Sequence, residues 1–241
     1  LIYIITLAIA TTVAIAQDYE TDFRELQQQF EERSATTSAL IKTYHEQYPY
    51  TPYSDEIHLM EGVLHAEKEK YKQAIKAFSK INAKNLARET QPMLHFYWGY
   101  ALLKQENYKK ALSYLLRVKQ KESLYTPHAR YYAGYCYYCT KDFQNALAEF
   151  LSVQHLAGYQ QIVPYYLVQI DYAQGNYEQV YTRANQLLDT FPDNKHNYEL
   201  HRMLGEMYYQ DSAYNDAIQH LEAYHTLSLE QEREPLRSDI Y

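Results

Sequence analysis

A glycine recurs along this chain at a fixed distance from an aromatic residue and an alanine. The pattern occurs at four positions, Gly62, Gly99, Gly134 and Gly205. Nine residues after each glycine stands an aromatic residue, namely Tyr71, Tyr108, Phe143 and Tyr214. Twelve residues after each glycine stands an alanine, namely Ala74, Ala111, Ala146 and Ala217. Self-similarity at a fixed period of 20 to 50 residues is typical of repeat architectures and constrains the fold more than any single motif.

A fifth, divergent copy fits between the last two glycines. It has Val168 at the glycine position and Val180 at the alanine position, with the turn sequence QGNY between them. Successive residues at the alanine position are then 37, 35, 34 and 37 residues apart. The apolar residues follow a helical period almost throughout, and the chain has only six glycines and seven prolines. The sequence therefore predicts an all-α chain of repeated helix hairpins.

The composition excludes several classes of function. The formal net charge is -7, and no block of Lys and Arg stands out in the sequence. Nucleic acids and anionic membrane surfaces require a concentrated basic patch, which this chain lacks. The sequence also contains no nucleophile elbow, no glycine-rich phosphate loop and no His-Glu-x-x-His motif. We therefore expect no enzymatic activity, no cofactor and no nucleic-acid partner.

The five copies resemble the tetratricopeptide repeat. In that family, small residues at repeat positions 8 and 20 let two helices approach closely, and larger residues at positions 11, 17 and 24 fill the remaining space. The resemblance covers roughly residues 55–241 and implies an α-α superhelix, a solenoid of antiparallel helix hairpins. Position 11 departs from the family pattern at Asp171, a carboxylate where a large side chain is expected. Burial of this carboxylate without a partner would be costly.

The two ends of the chain differ from the repeats. Residues 1–16 are apolar, are too short to span a bilayer, and end in Ala14-Ile15-Ala16, a pattern that signal peptidase cleaves. We interpret them as the remnant of a signal peptide, with a short buried helix as the alternative. Residues 17–54 are predicted to form a degenerate capping pair of helices. Pro235 begins a further copy, which is incomplete at Tyr241, so we expect the native protein to continue beyond Tyr241.

The resemblance also implies a binding surface. In tetratricopeptide arrays, positions 2, 5, 9, 12 and 13 of the first helices face a concave groove that binds partners. Carried over residue by residue, this implies a groove rich in tyrosine, which suits protein interfaces because it combines a large rigid ring with a hydroxyl. Packing between helices is the alternative role for any single tyrosine. The implied partner-binding residues are Phe96, Tyr100, Leu103, Tyr131, Tyr135, Tyr138, Tyr165, Gln169, Tyr172, Arg202, Glu206 and Tyr209, with Met93, His128, Ile162 and Glu199 at position 2.

The segment YYAGYCYYC, residues 131–139, contains both cysteines of the chain. Redox chemistry of the thioredoxin type needs its nucleophilic cysteine at a helix N-terminus, whereas this pair is predicted near the C-terminal end of its helix. Zinc would need further ligands at suitable spacing. Cys136 falls at a position where the repeat prefers a small residue, so we predict a buried, unreactive thiol.

Three potential metal ligands share one predicted helix face: His58, Glu61 and His65. Their spacing could offer ligands to zinc, but no fourth ligand is evident. His95 and His201 occupy the same repeat position as His58, and this recurrence favours a role in packing. We therefore predict no metal site.

These observations favour a non-enzymatic scaffold that binds a protein or peptide partner in an aromatic groove. The entry into the array, YPYTPYSDE, is similar to envelope members of the repeat family in Gram-negative bacteria, which implies a periplasmic or secreted location, with outer-membrane association as a variant. Two alternatives remain open. Tyrosines could stack on glycan or peptidoglycan fragments, or the array could be the sensor part of a longer regulatory protein.

Overall fold

The computed structural model describes residues 19–120 and 122–230, which form twelve helices and contain no strand. The predicted signal peptide and the copy that begins at Pro235 lie outside these described residues. Within them, no helix is both long and apolar enough to cross a membrane. The helices are α1 (19–31), α2 (Thr37–Gln47), α3 (Ser54–Glu67), α4 (Tyr71–Phe78), α5 (Gln91–Leu103), α6 (Tyr108–Val118), α7 (Thr126–Cys139), α8 (Phe143–Val153), α9 (Ile162–Ala173), α10 (Tyr177–Thr190), α11 (Asn197–Gln210) and α12 (Tyr214–Glu230).

The helices from α3 to α12 follow the five sequence copies as five consecutive pairs. Each second helix begins at the recurring aromatic residue of its copy: Tyr71, Tyr108, Phe143, Tyr177 and Tyr214. The turn before it contains one residue with positive φ, between 57° and 75°: Glu69, Glu106, Lys141, Gly175 and Ser212. A left-handed residue after a helix ends it and reverses the chain within a few residues. The all-α expectation is therefore confirmed.

Close approach of the two helices explains the recurring glycines. A Cβ on Gly62 would collide with the ring of Phe78, and a Cβ on Gly134 would lie 2.9 Å from the ring of Phe150. Gly99 and Gly205 stand equally close to leucine side chains of their partner helices. Real Cβ atoms do not approach other atoms so closely, so a larger residue would push the helices apart.

The fourth copy reaches the same packing with the sizes reversed. Val168 replaces the glycine, and Ala184 stands where the first and third copies have Phe78 and Phe150. Val168 and Ala184 are both completely buried. A larger residue on the first helix is thus matched by a smaller one on the second, which keeps the volume between the helices similar.

The chain divides into two compact units, the first ending at Tyr132 and the second beginning at Ala133, so the division falls inside α7. In the first unit, Phe23, Leu26 and Phe30 of α1 belong to one buried apolar cluster that also includes residues of α2, α3 and α4. In the second unit, α9, α10 and α11 share a buried cluster that includes Val168 and Leu200. The first helices of the pairs therefore bury one face in the apolar core of their unit.

Candidate functional site

Most of the predicted groove residues are half-buried. This holds for Phe96, Tyr100, Tyr131, Tyr135, Tyr138, Gln169, Tyr172, Arg202 and Glu206. Leu103 and Tyr165 are buried, with 6% and 8% of their surfaces exposed, so both serve packing rather than an open surface. Tyr209 is 63% exposed. The half-buried residues keep one side against the protein and one side accessible, which suits interface residues.

An aromatic cluster occupies the first helices of the first unit. The ring of Phe96 lies 6.2 Å from that of Tyr100, both on α5, and 6.2 Å from that of Tyr132 on α7. Tyr132 in turn lies 5.0 Å from Tyr100 and 5.1 Å from Tyr131. Tyr125, just before α7, stacks on Phe96 with the ring centroids 5.2 Å apart. We call these five residues the Phe96 cluster.

A second aromatic cluster lies in the second unit. Tyr135 and Tyr138, on α7, have ring centroids 6.5 Å apart. The ring of Tyr166, on α9, lies 5.6 Å from Tyr135 and 5.3 Å from Tyr138. Tyr166 also stacks on Phe150, which is completely buried. We call Tyr135, Tyr138 and Tyr166 the Tyr166 cluster, and its contact with Phe150 anchors it to the core.

Beyond the Tyr166 cluster, the facing helices α9 and α11 meet through polar groups. The Tyr172 hydroxyl donates to Glu206 Oε2 at 3.4 Å, and Gln169 Nε2 donates to Met203 Sδ at 3.3 Å. Arg202 lies between two carboxylates, with Nη1 2.7 Å from Glu206 Oε1 and Nη2 3.1 Å from the nearer oxygen of Glu199. The first helices of this unit therefore change from aromatic to charged side chains between α9 and α11.

The sequence interpretation missed one recurring position, two residues before the glycine. Tyr97, Tyr132, Tyr166 and Met203 occupy it in successive copies from the second onwards. Each of these residues contacts the first helix of the preceding copy. The Tyr97 hydroxyl, for example, donates to Glu67 Oε1 at 3.0 Å. The recurrence of tyrosine at this position was the signal that could have revealed it.

Four tyrosine hydroxyls in or beside the two clusters are neutral at physiological pH. Burial raises the pKa of Tyr97, Tyr100, Tyr125 and Tyr138, because loss of water disfavours the phenolate. In Tyr138 the nearby acidic groups of Cys139 and Glu199 raise the pKa further. These groups can therefore donate and accept hydrogen bonds, but they do not supply charge.

The cysteines of the YYAGYCYYC segment differ in exposure. Cys136 is completely buried, as predicted, and burial raises the pKa of its thiol to about 12, with a smaller effect from Cys139. A thiol with so high a pKa contains almost no thiolate, the nucleophilic form, at neutral pH. Neither cysteine forms a disulfide.

Asp171, which departs from the repeat pattern, has a charged partner. Its Oδ2 atom lies 3.0 Å from Arg183 Nε, on the second helix of the same pair, while only 6% of the residue is exposed. The pair stabilises a buried carboxylate that would otherwise be costly. This ion pair was not predicted, because no spacing rule links α9 to α10 at these positions.

The histidines on one face of α3 contact groups of the protein itself. The Nδ1 atom of His58 is 2.6 Å from the carbonyl oxygen of Ser54, and the ring stands edge-on to His45. His65 Nε2 lies 3.7 Å from Glu61 Oε1. Across residues 19–120 and 122–230, no group of three or more His, Cys, Asp or Glu residues is arranged to hold a metal ion.

A second pair of histidines joins α11 to α12. The Nδ1 atoms of His201 and His220 are 2.9 Å apart, so one ring donates and the other accepts. His220 also stacks on the ring of Tyr208. Burial, with a smaller effect from the neighbouring His220, lowers the pKa of His201 to about 4. Burial lowers the pKa of His220 as well. Both rings are therefore neutral at pH 7.

The described residues form pairs of helices that approach closely at a small residue and are joined by the same type of turn. These features define an all-α helical repeat protein. The family model of the tetratricopeptide repeat matches residues 59–125 and 96–160. This part of the chain is thus similar to the tetratricopeptide repeat family. Comparison with the curated proteins gives no match by sequence.

Solved structures of MamA share the fold. The structure of MamA MSR-1 aligns with a TM-score of 0.61 at 15% identity, over 74% of this chain and 99% of that chain. The structure of a MamA RS-1 ArsTM double mutant aligns with a TM-score of 0.62 at 16% identity, over 75% of this chain and 98% of that chain. At this identity the similarity shows a common helical repeat fold.

Proposed function

We propose that this chain is a non-enzymatic scaffold that binds a protein partner through aromatic clusters on the first helices of its repeats. The observation that carries the proposal is the Phe96 cluster, in which half-buried rings from α5 and α7 form a continuous aromatic surface. Aromatic residues that are held rigidly and keep one face accessible are the usual anchors of protein interfaces.

The fold supports the same proposal. Tetratricopeptide arrays bind protein partners, and the matched copies cover residues 59–160, which include the Phe96 cluster. The Tyr166 cluster gives the second unit a comparable surface, and the Tyr138 hydroxyl in it is neutral. Because fold alone does not determine function, the proposal rests on these side chains rather than on the family.

A capture experiment tests the proposal. Immobilised purified chain is incubated with cell-envelope extract, and each captured protein is then purified and titrated to measure a Kd. Substitution of Tyr100, Tyr135 and Tyr138 by Ala should weaken saturable binding of the partner by about 100-fold, since interface aromatics typically contribute about 1–2 kcal/mol or more each. The matched control is Tyr50→Ala, because Tyr50 is 99% exposed and belongs to neither cluster.

Equal binding by the triple variant and the control would contradict the proposal. Saturable binding of purified peptidoglycan fragments, lost in the triple variant and without any protein partner, would favour the glycan-binding alternative instead. Stacking of sugar rings on tyrosine would use the same surface, so the two outcomes are separated by the ligand and not by the residues.

We also propose that the protein is exported to the periplasm or secreted. The support is the apolar segment 1–16 and its cleavable end, together with the similarity of YPYTPYSDE to envelope members of the repeat family. Expression of the complete gene followed by fractionation tests this, and sequencing of the mature N-terminus should begin at Gln17. Recovery of an uncleaved chain in the cytoplasmic fraction would exclude export.

A further inference from the structure

A buried carboxylate in the second unit has an oxygen without a partner. Glu199, in the first turn of α11, is only 2% exposed. Its Oε2 atom accepts from Nε of Arg202 at 3.1 Å. Its Oε1 atom is shielded from solvent and accepts no hydrogen bond from the described part of the chain. A buried ionised carboxylate is most stable when both of its oxygens are paired, so this oxygen retains the capacity to accept one further hydrogen bond.

The charges around Glu199 do not balance. Arg202 is shared between Glu199 and Glu206, which gives two carboxylates and one guanidinium. Neither carboxylate forms an ion pair with any other Lys or Arg among the described residues. The cluster therefore carries an excess of one negative charge in a partly desolvated place, and one additional cation would compensate it.

The cluster occupies repeat positions 2, 5 and 9 of its copy, which the resemblance to the tetratricopeptide repeat implies to face a partner. Glu199, Arg202 and Glu206 are spaced three and four residues apart, so they share one side of the helix. The Glu206 side chain is 41% exposed, so this side is open to solvent at one end and closes at Glu199. Polar contacts of α9 with Met203 and Glu206 fix the facing helix beside it.

A tyrosine adjoins the exposed end of the cluster. The Tyr172 hydroxyl donates to Glu206 Oε2 at 3.4 Å, so this side chain lies beside the carboxylate. An aromatic ring beside a carboxylate forms a favourable environment for an ammonium or guanidinium group, because the face of the ring attracts cations.

We propose that the second unit binds a basic side chain of an extended partner segment, whose ammonium or guanidinium group donates to Glu199 Oε1. This inference rests on the proposed scaffold function and specifies the chemistry of the partner. The excess carboxylate supplies the charge complementarity, and Tyr172 lies beside the second carboxylate, Glu206.

Selection from a random peptide library tests the inference and requires no identified partner. A display library of peptides about twelve residues long is panned on the whole chain, on Glu199→Gln and on Glu178→Gln. Glu178, on α10, is exposed and lies outside the cluster, so its variant makes the same change in net charge. The unaltered chain and Glu178→Gln should select peptides with Lys or Arg at one fixed position, whereas Glu199→Gln should lose this preference.

Synthetic peptides give a second measurement that needs no variant. Replacement of the selected Lys by norleucine keeps the length of the side chain and removes the charge. Binding to the unaltered chain should weaken by about tenfold or more, as expected for a charge-assisted hydrogen bond in a desolvated place. This comparison remains decisive even if Glu199→Gln fails to fold, which circular dichroism would reveal.

The outcomes separate this inference from the scaffold function. Peptides that bind equally well with Lys or norleucine would overturn the inference and leave the scaffold function standing. An equal loss in Glu178→Gln and Glu199→Gln would also overturn it, because the effect would then reflect net charge alone. A library that yields no binding peptide at all would count against the scaffold function, and the inference would fall with it.

Discussion

The first helices of the two units share one backbone arrangement and differ in the chemistry of the surface they present. In the first unit, α5 and α7 meet through the rings of the Phe96 cluster. In the second, α9 and α11 meet through Tyr172, Glu206 and the charged network around Arg202. The residues that hold each hairpin together are separate from those that form the surface. A repeat can therefore change the chemistry of its surface without changing its backbone.

The largest expected effect concerns the packing inside the hairpins. Gly62→Val in the first unit should destabilise it by about 3 kcal/mol, because the added side chain collides with the ring of Phe78. Urea unfolding followed by the fluorescence of Trp98 measures this, since Trp98 is the only tryptophan and its ring lies 6.0 Å from that of Phe78.

The fourth copy, in the second unit, has a larger residue on its first helix and a smaller one on its second, and this arrangement provides the control for Gly62→Val. Combining Gly62→Val with Phe78→Ala gives the first unit the arrangement that Val168 and Ala184 have in the fourth copy. The double variant should be more stable than the sum of the two single effects predicts, by at least about 1 kcal/mol, because the residues contact each other. If the stability changes of the two single variants simply added up in the double variant, residues 62 and 78 would not compete for the same space.

A smaller effect should distinguish the units by pH. The pKa of His201 is about 4 in the folded state against 6.5 for an unperturbed histidine. As the pH falls, His201 is protonated in the unfolded chain before it is protonated in the folded chain. The stability that neutral His201 contributes is therefore fully present above pH 6.5 and is lost as the pH falls toward 4. The free energy of unfolding of the second unit should fall by about 1–2 kcal/mol over this range. This value is reduced for solvent screening, because the histidine pair is half-buried.

Hydrogen exchange read separately on α5 and α11 at about pH 7 and about pH 5 measures this difference, once corrected for the intrinsic effect of pH on exchange. His201→Phe keeps a ring beside His220 and Tyr208 but cannot be protonated, so it should remove most of the acid sensitivity of α11. In the first unit, burial also lowers the pKa of His95, so α5 should lose some stability in acid. The loss should be smaller than in α11, because the ring beside His95 is that of Tyr114, at 6.1 Å, and not a second histidine with a lowered pKa. Equal acid sensitivity of α5 and α11 would contradict the role of the pair.

The smallest expected effect comes from the turns. Both complete hairpins of the first unit place a non-glycine residue, Glu69 or Glu106, in the left-handed region, whereas the second unit has Gly175 at one of its turns. Glu106→Gly should stabilise the chain by about 0.5–1 kcal/mol, since glycine adopts positive φ without a steric penalty. Thermal unfolding followed by circular dichroism measures the change.

Gly175→Ala is the matched opposite change. A Cβ there would meet no atom within 4 Å, so any loss of stability must come from the backbone conformation. It should destabilise the chain by about 1 kcal/mol. A neutral result in both variants would mean that the turns tolerate positive φ equally with any residue.

Several parts of the fold could be predicted from the sequence because they depend on local spacing. The recurring aromatic residues mark the start of each second helix, and the glycines mark the close approach between the helices. The burial of Cys136 followed from its place in the repeat. The surface was harder to predict, since Leu103 and Tyr165 were expected to line a groove and are buried. Half-burial of a ring depends on which neighbours cover it, and the repeat pattern does not specify those neighbours.

The sequence by itself determined the helical hairpins, because the period of apolar residues and the positions of small residues act over one or two helical turns. Only the tertiary structure decided the partners of individual polar groups. Arg183 beside Asp171 and His201 beside His220 both arise where side chains of different helices converge. The physical reason is that hydrogen bonds and ion pairs require atoms to lie within about 3 Å, a precision that residue spacing does not provide.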